Sequence, residues 1–143
     1  MEHIRGRFWR RTQTQILAIA LVVYWAVLCV GTHVPGGVIV TPPTSDKVLH
    51  AVAYLGLTLL LALLSRHLGW QRWRLYAGTL MIASCYGAMD ELGQILVPGR
   101  NADVNDWAAD VLGAVAGLTL YWLAVSFWAA SARLVQAGRN EVA

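Results

Sequence analysis

The chain has 143 residues, of which 57% are hydrophobic and only 13% charged. Soluble domains carry about 25% charge, so half that share excludes an ordinary water-soluble globule and points to lipid as the solvent. Net charge is +3 at pH 7, and no basic tract interleaved with aromatics suggests a nucleic-acid partner.

Residues 1–15 form a basic segment carrying Arg5, Arg7, Arg10 and Arg11. With the apolar stretch behind it, this segment looks like a secretion signal. The stretch runs for about 19 residues, however, and no small-x-small cleavage site follows, so the sequence predicts an uncleaved first span. Crossing a bilayer core of ~30 Å takes roughly 20 helical residues. Four segments qualify: 16–34, ended by Pro35-Gly36-Gly37 and Pro42-Pro43; 48–64, ended by Ser65-Arg66-His67 and Gly69; 75–97, ended by Pro98-Gly99; and 107–128, followed by a polar tail over 129–143. The expected fold is all-α, an integral membrane bundle of four transmembrane helices over 16–128. Short connections make consecutive helices antiparallel. Cys29 and Cys85 lie in apolar runs without metal-ligand spacing and read as buried free thiols.

Four spans put both termini and the middle loop on one side. There lie Arg5, Arg7, Arg10, Arg11, Arg66, Arg72, Arg74, Arg133 and Arg139, nine of the eleven basic residues, leaving Lys47 and Arg100 opposite. The positive-inside rule then predicts cytoplasmic termini in a bacterial inner membrane. Trp70 and Trp73 fall at the inner interface and Trp107 at the outer one. Six of the eight acids (Asp46, Asp90, Glu91, Asp103, Asp106 and Asp110) go to the outer side, which the rule does not explain.

Helical rise sets their depth. Asp90 lies sixteen residues from Arg74 and His50 sixteen from Arg66, each ~24 Å, and Asp110 lies ~27 Å from Trp128. Three helices thus bring ionisable groups to one level. Asp46, His50 and Tyr54 share a face at i, i+4, i+8, with Lys47 beside them. Asp90 and Gln94 share a stripe with Tyr86, Ala83 and Thr79, while Glu91 lies about 100° away. Asp106, Asp110, Gly113 and Gly117 form one face, and Gly113-x-x-x-Gly117 is a small-residue seam for close helix approach, within the bundle or between protomers of a homo-oligomer. Acids near mid-span are destabilising by roughly 2.5–3.5 kcal/mol, and their usual meaning is a functional site.

The run Asp46-Lys47-x-x-His50-x-x-x-Tyr54, then Asp90-Glu91-x-x-Gln94, then Pro98-Gly99-Arg100 with Asp103, Asp106, Asp110 and Gly113 resembles the VanZ-like family over about residues 16–125. The family pattern joins D-K-x-x-H-x-x-x-Y, E-x-x-Q and P-G-R…D…D-x-x-x-[N/D]-x-x-G elements. Asp110 stands where many members have Asn. The resemblance implies a membrane protein of the cell envelope linked to resistance to teicoplanin, a glycopeptide antibiotic, and it weights Glu91 where the helical stripe favours Asp90.

Residue roles follow from chemistry. His50 titrates near neutral pH and suits acid–base work or metal ligation, against a packing role. Asp90, Glu91, Asp106 and Asp110 are the candidate reactive carboxylates, and a divalent cation bridging Asp90 or Glu91 with Asp106 and Asp110 to a phosphate is chemically reasonable. Lys47 and Arg100 suit an anionic substrate, against snorkelling for Lys47 and an ion pair with Asp103 or Asp106 for Arg100. Tyr54 and Gln94 complete the binding layer, Gln94 by orienting a neighbour. Asp103 fits a helix N-cap, and His33, Tyr24 and Trp25 fit packing or interface roles. The expected function is binding, or acting on, a lipid-linked or envelope anion near the outer leaflet. The alternatives are a small proton-coupled transporter and a non-catalytic module that stabilises a partner.

Overall fold

The computed structural model describes residues 2–35 and 43–141, with side chains over 9–35 and 46–140. The turn-forming stretch 36–42 lies outside the described residues, as do the side chains of Arg5 and Arg7. Four helices follow one another: α1 Glu2–Thr32, α2 Pro43–His67, α3 Arg72–Gln94 and α4 Val104–Glu141. Among the described residues there is no strand. Three helices are long and apolar enough to cross a membrane, over Trp9–Thr32, Asp46–His67 and Val104–Asn140. By composition α3 is not.

The helices outrun the spans read from the sequence. α1 starts within the basic segment, and α4 continues through the tail predicted beyond 128. That tail holds five Ala and two Arg, good helix formers, and no proline. α2 opens with Pro43 as its first residue, where a missing N–H goes unnoticed. It closes in a Schellman turn: Trp70 N–H donates to the Ser65 carbonyl at 3.0 Å and Gly69 N–H to Arg66 at 3.1 Å. Gly69 takes φ +82° there, a conformation a side chain would strain. α3 ends at Gln94, three residues short of expectation, and Arg100 N–H then closes a tight turn on the Val97 carbonyl at 3.1 Å. Pro98 and Gly99 occupy the middle of that turn, with Gly99 at φ +75°.

Packing places the core around α2, which touches α1, α3 and α4. Gly113 and Gly117 fill the α2–α4 contact. A Cβ on Gly113 would land on the Ala51 carbonyl oxygen, and one on Gly117 would sit 2.6 Å from that of Leu55. The seam is therefore used inside one chain, against α2, and its other reading, a contact between protomers, finds that face already covered. Outside, Ile19, Val23, Val27 and Val30 of α1 and Leu112 and Phe127 of α4 are exposed. Carboxylates point inward and aliphatic side chains outward, the polarity that lipid imposes. Both cysteines are free, but only Cys29 is partly buried. Cys85 is exposed, because position 85 falls on the side of α3 away from its neighbours.

Candidate functional site

The close α2–α4 approach sets one ladder of contacts. One turn before Gly113 stands Asp110, and beside Ala51 stands His50. Their side chains meet at 2.9 Å, Asp110 Oδ1 accepting from His50 Nδ1. Both are buried. Glu91 of α3 completes a trio: one nitrogen of His50 and one oxygen from each of Glu91 and Asp110 all lie within 4.8 Å of one another. A second grouping of this kind joins His50 to Asp46 and Asp106.

Glu91 is held at both oxygens. Asp103 N–H donates to Oε2 at 2.8 Å and the Gln94 amide to Oε1 at 3.3 Å. Gln94 thus orients a neighbour, as its position suggested. Asp103 caps α4, accepting from Asn105 N–H at 2.8 Å. Lys47 Nζ bridges Asp103 at 3.0 Å and Asp106 at 2.6 Å, so it is an ion-pair partner and not a snorkelling chain. The Asn105 amide and then the Lys47 ammonium hold the Asp103 carboxyl below its usual range.

Asp90 stands apart from this trio. It is buried, but it turns to α1, where Thr32 donates its hydroxyl to Oδ1 at 3.0 Å and His33 Nδ1 lies at 3.7 Å. Tyr86 OH approaches the same oxygen at 3.5 Å. The helical stripe favoured Asp90 for the shared layer, yet Glu91 is the one that meets His50 and Asp110. The reason is that α3 has neighbours on more than one side, so two adjacent carboxylates about 100° apart can both be buried against different helices. Sequence reasoning missed Thr32 altogether and gave His33 a packing role. Their only signal is position, at the end of α1 on the level of Asp90.

Arg100 takes neither of the acids offered to it. Its Nε donates to the Val34 carbonyl at 3.3 Å, since Lys47 already occupies Asp103 and Asp106. The guanidinium instead borders a cavity of about 240 Å³ between α1 and α2. Leu28, Leu49 and Ala53 line its apolar part, and Asp46, His50, Tyr54 and Arg100 its polar part. Tyr54 is wholly buried, and its hydroxyl has no hydrogen-bond partner; Oδ2 of Asp90 and of Asp110 are likewise unpartnered among the described residues. Tyr24 and Trp25 pack as expected, Tyr24 on the Ala53 carbonyl and Trp25 on the Tyr86 ring. Trp107 donates its indole N–H to the Ser84 carbonyl at 3.0 Å.

A family model described as VanZ/LLP1 matches residues 6–125. The chain belongs to the VanZ/LLP1 family. The VanZ/LLP1 match takes in Lys47, His50, Glu91, Arg100, Asp106 and Asp110, so the polar layer lies wholly within the family domain. No curated protein and no solved structure matches the chain.

Proposed function

We propose that this VanZ/LLP1 protein is a four-span protein of the bacterial inner membrane, both termini in the cytoplasm, that binds the anionic head group of a lipid-linked or cell-envelope molecule at the outer leaflet. Nine of eleven basic residues fall on the terminal side of such a topology. α3 serves as the fourth crossing. Its 23 residues reach ~34 Å, and its low hydropathy comes partly from Asp90, Glu91 and Gln94, which it buries.

The observation that carries the reading is Arg100 at the cavity between α1 and α2, hydrogen-bonded to a neutral carbonyl and to no acid among the described residues. A guanidinium in that state is ready to take a phosphate or carboxylate in two parallel bonds. The cavity, at about 240 Å³, is smaller than pockets that enclose whole ligands, roughly 300–1,000 Å³. It fits a head group and the first carbons of a chain whose remainder stays in lipid. A permeation path is the weaker reading, because towards Arg66 the bundle closes on Ala62, Leu75, Leu118 and Tyr121.

The test compares dodecyl phosphate with dodecanol as probes in calorimetric titrations of the full chain in nanodiscs. The phosphate should bind about ten-fold more tightly, a difference near 1.4 kcal/mol, and Arg100→Gln should erase the advantage. Equal binding of the two probes, or an advantage that survives Arg100→Gln, overturns the reading.

A further inference from the structure

The acids of the polar layer are not served alike. Lys47 answers Asp103 and Asp106, and Arg100 is engaged elsewhere. Glu91 and Asp110, 4% and 0% exposed, have no Lys or Arg partner among the described residues. Two carboxylates that deep in a bundle are strongly destabilising unless something positive stands between them. What stands between them is His50, a neutral imidazole at ordinary pH unless it takes up a proton.

We propose that His50, Glu91 and Asp110 bind one divalent transition cation, through one imidazole nitrogen and one oxygen from each acid. The spacing suits it. Ligand atoms ~2.1 Å from a metal ion at tetrahedral or octahedral angles stand about 3.0–3.4 Å apart, and His50 Nδ1 and Asp110 Oδ1 stand at 2.9 Å. The third ligand lies within the same 4.8 Å circle. A dication balances the two carboxylates and leaves the imidazole neutral. Ligation through Nδ1 needs the Nε2–H form of the ring. A neutral imidazole exchanges its Nδ1 proton for one on Nε2 with no net release, and an imidazolium gives its Nδ1 proton to solvent.

Two further observations support the assignment. Tyr54, 0% exposed, sits one turn from His50 on the wall of the same cavity. Its hydroxyl has no hydrogen-bond partner among the described residues. Asp110 also keeps Oδ2 buried without a partner. The outer contacts resemble those around metal ligands: Glu91 is oriented by the Asp103 N–H and the Gln94 amide, as second partners orient ligands elsewhere. One imidazole with two carboxylates, and no thiolate, is a set for Zn²⁺ or Mn²⁺. His50 also lines the head-group cavity, so the proposed ion would adjoin that space through its imidazole ligand.

Metal-stripped full chain in detergent, with no anionic probe present, is titrated by calorimetry with Zn²⁺ and separately with Mn²⁺. One ion per chain should bind, and it should raise Tm, as a ligand of the folded state must. Glu91→Gln and Asp110→Asn should each weaken binding at least about ten-fold, while Asp46→Asn should weaken it less than two-fold. No stoichiometric binding of either ion to the wild type overturns the proposal and leaves a proton shared by His50 and Asp110 as the balancing charge. That result holds whether or not the variants fold. A loss in Asp46→Asn equal to that in Glu91→Gln also overturns it, moving the site to Asp46, His50 and Asp106. Because no anion is present, this test and the dodecyl phosphate test fail independently.

Discussion

His50 Nδ1 and Asp110 Oδ1 stand 2.9 Å apart although the residues are sixty positions apart in the chain. Their meeting follows from backbone contact one turn away, where Gly113 lies on the Ala51 carbonyl. The buried polar pair therefore depends on the absence of a side chain at Gly113.

Gly113→Ala should push α4 away from α2 and destabilise the bundle by about 1–3 kcal/mol, the usual range for overpacking. Gly138→Ala, where an added methyl meets open space, should be neutral or slightly stabilising as a helix substitution. Thermal unfolding in detergent of the two variants checks the contrast. A Tm for Gly113→Ala at or above the wild type would contradict the packing.

Lys47→Met leaves Asp106, whose side chain is 10% exposed, without its 2.6 Å partner. Its Tm should fall further than that of Asp106→Asn, and the double variant should recover part of the loss. The physical reason is that an unpaired acid is worse than a missing pair. Additive losses would mean that the pair contributes nothing.

Thr32→Val removes the hydroxyl that Asp90 accepts from. Losing the 3.0 Å bond leaves this buried oxygen only the longer 3.5 Å approach of Tyr86 OH, which is destabilising by about 1–3 kcal/mol, and the effect should be local. Hydrogen exchange should quicken at the end of α1 and stay unchanged at the α2–α4 seam. Uniform quickening across both would place Asp90 in the same cooperative unit as His50.

The topology has its own test. With Cys29 and Cys85 replaced by Ala, Asn101→Cys should react with an impermeant maleimide in intact spheroplasts, and Gln71→Cys only after lysis. The reverse pattern would turn the protein over and put the polar layer at the cytoplasmic face.

Several features were legible before any coordinates. Charge content pointed to lipid, helical rise put His50 and Asp110 at one depth, and the Gly113/Gly117 spacing marked a close helix contact. The Asp103 cap was legible too, since a carboxylate beside the start of a helix has few better uses. These are properties of a single helix, and period and rise depend on nothing outside it.

Pairing between helices was another matter. Lys47, and not Arg100, met Asp103 and Asp106. Glu91 joined His50 while its neighbour Asp90 turned to Thr32. Composition and periodicity say which face of a helix is polar and how deep it lies. They do not say how far that helix is rotated against each neighbour, and a rotation of about 100° exchanges one residue for the next. Only packing of all four helices selects that angle, through backbone contacts such as Gly113 on Ala51, and so decides which charges meet.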